Sequence, residues 1–220
     1  MRNVSDGVEI KVVARASDEQ DANDAAVFFV GQGLDVLTLG LNLPLHLSLF
    51  DYRHKKFTGH VKRIVTKEEW IDSFDHGRVY GAERQVFSRS LSWYRKSLTS
   101  EDPIDRLIAL WSSLEGVCSV YHQKNETTKK GIVNQVYNCF DQLWGSSDKW
   151  KVIPGRSEVV KEFHEYRNGI AHGFFHLDIE KIREIVGRLL EYTSLTYSFL
   201  KDWEKKGFLI EVNSQQEDSG

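Results

Sequence analysis

Long hydrophobic runs, cysteines and a surplus of either charge are what this sequence has little of. No uninterrupted apolar stretch approaches the roughly 20 residues a membrane-spanning helix needs, so no membrane partner is expected. The opening segment, Met1 to Ile10, lacks the basic-then-apolar order of a secretory leader. The two cysteines, Cys118 and Cys139, lie 21 positions apart without CxxC spacing, which argues against a disulfide framework and reads as two buried thiols in a reducing cytoplasm. A formal charge of -3 gives no global pull toward a polyanion, so a nucleic-acid partner would have to meet a local basic patch. Internal repeats and low-complexity tracts are absent as well.

What is present is ordinary globular composition. Apolar residues make up 40% and charged residues 28% of 220 residues, enough to bury one sizeable domain or a small one joined to a medium one. The first part looks mixed. Val8–Ala16 alternates and is β-branched like a strand, Ala25–Leu39 reads as a helix closing near Gly31 or Gly33, and Leu45–Tyr52 and Val61–Thr66 read as further strands. Thr66 and Glu69 have capping-box spacing, which predicts a helix start. Residues 1–76 therefore read as a small α/β region.

From Val79 the period becomes helical. Phe87, Leu91, Tyr94 and Leu98 form one stripe, and Asp102-Pro103 signals the next start. That second helix carries Ile104, Ile108, Trp111 and Cys118 on its apolar side. Further helices are expected over Thr128–Trp144, Ser157–His172 and Asp178–Lys205, with Gly145–Arg156 as a loop. The fold class that follows is mainly α: a five-helix antiparallel bundle over residues 77–208, preceded by the α/β region and followed by a polar tail, 209–220.

The fourth of these helices holds the segment that stands out, Tyr166-Arg167-Asn168-Gly169-Ile170-Ala171-His172-Gly173. Val159, Phe163, Tyr166 and Ile170 make its core stripe. On an ideal helix Arg167 lies about 80° to one side of that stripe and His172 about 140° to the other, so neither completes the core. Gly169 weakens the helix interior, and Gly173 is placed to end it with His172 in the last turn, where the helix dipole favours imidazolium. A cationic histidine near a permanently charged arginine suits a phosphate under attack. The same spacing is also compatible with a helix cap and a solvated surface charge.

Upstream, Glu115 falls on the face of Ile104, Ile108 and Trp111. A carboxylate there needs a partner, which Arg167, a backbone donor or a water could supply. Other groups carry less. His172 and His176 have metal-pair spacing, but Gly173 interrupts them and no carboxylate or thiol joins His164 to complete a set, so neither metal nor cofactor is expected. Gly31-Gln32-Gly33 lacks the Lys-Ser/Thr of a phosphate loop. Lys124, Lys129 and Lys130, or Arg84, Arg89, Arg95 and Lys96, read either as RNA-contacting patches or as solvated faces. Trp93, Trp111, Trp144, Trp150 and Trp203 read as core or interface.

The Arg167–His172 segment resembles the R-x4-6-H signature of the HEPN superfamily, with Asn168 as the polar residue after the arginine. Trp111-Ser112-Ser113-Leu114-Glu115 is similar to the Trp-x-x-Leu-Glu stretch of its Apea-like branch. The resemblance covers residues 79–205. It implies a helical homodimer with two motifs face to face, cutting RNA without metal by 2′-OH attack to leave a cyclic phosphate and a 5′-OH. On that resemblance His172 is general acid/base, Arg167 holds the phosphate, Asn168 orients, and Glu115 supports. A defence or stress-response effector is the implied setting, with residues 1–76 meeting a regulatory protein or ligand. A non-catalytic HEPN module that binds RNA, nucleotide or protein is the alternative. Where the branch paired with nucleotidyltransferase antitoxins has a tyrosine two positions after the histidine, this chain has Phe174, which argues against silencing by modification there.

Overall fold

Asp18 opens the first long element of the chain. The computed structural model describes residues 2–4, 7–10, 12–13, 16–47, 65–173 and 179–207. Helix α1 (Glu19–Leu41) starts at Glu19 rather than Ala25 because the Asp18 carboxylate accepts the Asp21 backbone N–H at 2.9 Å. It continues through Gly31 and Gly33, where the sequence suggested an end, and closes only at left-handed Asn42. Gly33 serves close approach instead: a Cβ there would sit 2.6 Å from the Phe74 ring.

Ahead of α1, β1 (Arg2–Val4) pairs antiparallel with β2 (Gly7–Glu9). Among the described residues the expected strand Val8–Ala16 is realised at Val8 and Glu9; Val12 and Val13 are exposed and outside it, with no third strand among those residues for them to pair with, and residues 11, 14 and 15 lie outside the described set. Leu45–Leu47 forms no strand either. The rest of that expected strand, and most of the one expected at 61–66, lie outside the described residues. Val65 and Thr66 lead straight into α2 (Lys67–Glu83), which opens with the full capping box of Thr66 and Glu69.

The remaining helices are α3 (Gln85–Thr99), α4 (Pro103–Tyr121), α5 (Ile132–Trp144), α6 (Glu158–Ala171) and α7 (Ile179–Asp202), the last running on into a π-helical turn, Trp203–Gly207. Asp102 caps α4 through the N–H groups of Ile104 and Asp105. A 3₁₀ turn at Thr128–Lys130 delays α5 to Ile132, and Gly145, with φ of 82°, ends it.

The protein is thus mainly helical, a bundle with seven α-helices among the described residues. Helix α4 runs through its middle and touches α3, α5, α6 and α7. That is why its buried set (Leu107, Leu110, Trp111, Leu114, Val117, Cys118) is wider than one amphipathic stripe, while Ile104 and Ile108 are only half-buried. Trp111, Trp150 and Trp203 all lie in this core.

The boundary expected between residues 76 and 77 falls inside α2. Helix α1 packs on both α2 and α3, and its Val36 and Leu39 enter the same core as Leu91 and Tyr94. By length and composition α1 would also suffice to cross a membrane, since Gly31, Gln32, Gly33, Asp35 and Thr38 interrupt its apolar run without lowering the average much. Its Val30–Leu39 half is buried against the protein.

Candidate functional site

Helix α6 is rotated into place by two aromatic contacts. Phe163 meets the Trp111 ring edge-on at 5.2 Å and stacks on Tyr192 at 4.1 Å with a 10° interplanar angle. On its far flank, Glu162 accepts from Arg188 Nε at 2.8 Å, from Arg188 Nη2 at 2.7 Å and from the Tyr192 hydroxyl at 2.6 Å. With Val159, Val160, Phe163 and Tyr166 committed to the core, His164, Arg167 and Asn168 are left on the edge shared with α4.

There the structure brings Arg167 to Glu115. Arg167 Nη2 lies 3.8 Å from Glu115 Oε2, with side chains 34% and 35% exposed. Glu115 is therefore on the rim and not in the core, because α4 turns its deepest face toward α3 and α7. Arg167 Nη1 also donates to Asn168 Oδ1 at 3.1 Å. The other end of that carboxamide reaches His164, with Asn168 Nδ2 at 3.1 Å from Nε2 and 3.4 Å from Nδ1.

His164 is the member of the site that sequence alone suggests only as a metal ligand. It is half-buried against the Trp111 ring, centroids 5.1 Å apart. Burial holds its imidazole below the ordinary histidine value, against the opposing pull of the Glu115 carboxylate. The signal for its role is its place four residues before Asn168, one helical turn up the same face. Trp111 beneath it is fully buried, and its Nε1 has no hydrogen-bond partner among the described residues.

His172 follows the last residue of α6. It is exposed, its backbone N–H donates to the Asn168 carbonyl at 3.0 Å, and Gly173 turns the chain away with φ of 72°. Arg167, Asn168, His164 and Glu115 form one connected array, and His172 stands at the open end of the same helix. The Asn168 side chain contacts both the arginine and the half-buried His164.

The expected basic patches are partly spent on structure. Arg84 is buried, its guanidinium 4.5 Å from the Phe87 ring centroid, and Arg95 Nε donates to Asp35 Oδ1 at 2.6 Å. Arg89 and Lys96 are exposed, and Lys129 pairs with Glu126. Among the described residues no group of three or more His, Cys, Asp or Glu could hold a metal; His176 and Phe174 lie outside them. No protein-family model, no curated protein and no solved structure matches this chain.

Proposed function

We propose that this chain is a metal-independent endoribonuclease of HEPN type, acting as a homodimer on RNA. The observation that carries the reading is the array on α6: Arg167 held at one end by Glu115 and at the other by Asn168, one third exposed, with His172 exposed at the end of the helix. A guanidinium fixed on two sides keeps N–H donors for a phosphate without reorganising when negative charge develops there.

In the reaction, the ribose 2′-oxygen attacks the adjacent phosphorus, forming the P–O2′ bond as the P–O5′ bond breaks. One imidazole takes the 2′-hydroxyl proton and an imidazolium gives one to the departing 5′-oxygen. His172 and the equivalent histidine of a second copy fill these two roles across a two-fold interface. The N-terminal segment, residues 1–76, is the regulatory part of this proposal, and a cytoplasmic defence or stress-response role is its setting.

A second reading has one observation in its favour. The Glu115 carboxylate competes with any phosphate for Arg167, which suits a non-catalytic HEPN module that binds RNA, nucleotide or a protein partner. The deciding experiment is cleavage of mixed RNA in EDTA by wild type and His172→Ala. Cleavage by wild type alone, with cyclic-phosphate ends, is expected. RNA binding without cleavage by either sinks the ribonuclease and leaves the binding module.

A further inference from the structure

We propose that His164 is the positioning residue of this site, a neutral imidazole that orients the Asn168 carboxamide, which in turn aims the Arg167 guanidinium at phosphate. The proposal rests on the ribonuclease reading for its catalytic consequence, but its geometry stands by itself.

The direction of each hydrogen bond is fixed by what each group can do. A guanidinium has donors only, so the atom of Asn168 that faces Arg167 Nη1 at 3.1 Å must be the carboxamide oxygen. The amino group then necessarily faces His164. Its similar distances to both ring nitrogens, 3.1 and 3.4 Å, place it over the face of the imidazole, since an in-plane position between them would collide with the Cε1–H. An N–H over a ring face, or against a ring lone pair, is favourable only when the ring is neutral.

The charged groups that act on His164 are Glu115 from α4 and Arg167 and Glu165 from α6, while Trp111 of α4 covers its ring. Protonation of His164 turns the array against itself. The positive ring face repels the carboxamide N–H above it, and a flip that brings the oxygen there instead sets the amino group against the guanidinium, donor against donor. Arg167 is left with Glu115 alone at 3.8 Å. The site is therefore assembled only while His164 is neutral, which gives it an acid shut-off.

Two measurements on the full chain decide this. In the wild type, nitrogen-15 NMR follows the His164 ring and the Arg167 guanidinium from about pH 8 to about pH 5. The expected result is that the Arg167 resonances move with the His164 midpoint and that this movement is absent in His164→Gln. Arg167 resonances indifferent to His164 protonation overturn the proposal. The second measurement is cleavage of mixed RNA in EDTA. His164→Gln, whose carboxamide oxygen accepts from Asn168 at any pH, is expected to recover much of the neutral-pH cleavage that His164→Ala loses and to lose the acid limb. His164→Ala is expected to fall about 10- to 100-fold throughout. A His164→Gln profile identical to wild type, or an undiminished His164→Ala, overturns it. If the wild type cleaves nothing, the ribonuclease reading fails, while the NMR titration still decides whether His164 controls Arg167.

Discussion

Glu115 and Arg167 meet at 3.8 Å across the α4–α6 edge, each about one third exposed. At that distance and exposure the pair stabilises the fold by no more than about 1 kcal/mol. Its weight is geometric, since it ties one nitrogen of the guanidinium to α4 while Asn168 ties another to α6. Glu115→Gln, which keeps the shape and removes the charge, is accordingly expected to leave the melting temperature nearly unchanged. It should bind RNA no more weakly than wild type and cleave it about tenfold more slowly, because only positioning is lost. Binding by fluorescence anisotropy and single-turnover cleavage separate the two. A large loss of stability would show that the pair serves the fold instead.

Two glycines of α2 at its crossing with α1, and an exposed one in the last turn of α1, give a sharper contrast. A Cβ on Gly77 would lie 2.9 Å from the backbone carbonyl carbon and oxygen of Gln32, which cannot move aside without shifting α1. On Gly81 it would meet the Gln32 side-chain nitrogen at 2.4 Å, the far end of a flexible chain. On Gly40 it would meet nothing within 4 Å. Alanine is therefore expected to destabilise by roughly 2 kcal/mol or more at Gly77, to cost clearly less at Gly81, and to stabilise by about 0.5–1 kcal/mol at Gly40. Urea unfolding of the three variants ranks them, and any other order breaks the argument.

These glycines also show where the sequence was legible. Period and caps located α4 to α7 within a few residues, because Asp102-Pro103, the Gly145 and Gly173 stops and the apolar stripes are local signals. The start expected at Val79, by contrast, falls inside α2, and α3 begins only at Gln85, after a break at Arg84. Arg167 was one of three partners the sequence left open for Glu115, beside a backbone donor and a water; the two do meet, but on the rim, because the Ile104–Ile108 face is only half-buried. Gly33 misled, since a glycine that ends a helix and one that admits a neighbouring helix look alike until the neighbour is placed. The role of His164 was out of reach for the same reason. It depends on the direction in which Asn168 turns its carboxamide, which only the packed Arg167 decides.

Asp35 of α1 and Arg95 of α3 form a buried ion pair at 2.6 Å. Burial pushes the Asp35 carboxyl up to about 6, more than Arg95 pulls it down. The folded value lies above the unfolded one, near 3.8, so the folded state holds the proton more tightly. The contribution of Asp35 is fully present below the unfolded value and is lost as pH rises through about 6, by roughly 3 kcal/mol at most. Asp35→Asn removes this slope. Relative to wild type the variant is thus expected to gain stability between about pH 4 and about pH 7, as measured by urea unfolding at the two pH values. A constant difference would mean that Asp35 does not titrate in this range.

Glu162 is expected to show the opposite slope. Its carboxylate accepts two bonds from Arg188 and one from the Tyr192 hydroxyl, and Arg188 continues to Glu191 at 2.7 Å. The Arg188 bonds, more than any other influence, hold the Glu162 carboxyl below its usual range, and burial only partly offsets them. A depressed folded value means that the stabilisation is present above the unfolded value and disappears as pH falls through the folded one. Glu162→Gln keeps the shape but offers Arg188 one neutral acceptor in place of a two-oxygen carboxylate, a loss of about 1–2 kcal/mol at neutral pH that shrinks in acid. Because α6 and α7 are clasped here, on the flank away from Arg167, RNA cleavage per folded molecule should stay near wild type. A cleavage defect larger than the stability loss would mean that the clasp also sets the rotation of α6, and with it the aim of Arg167.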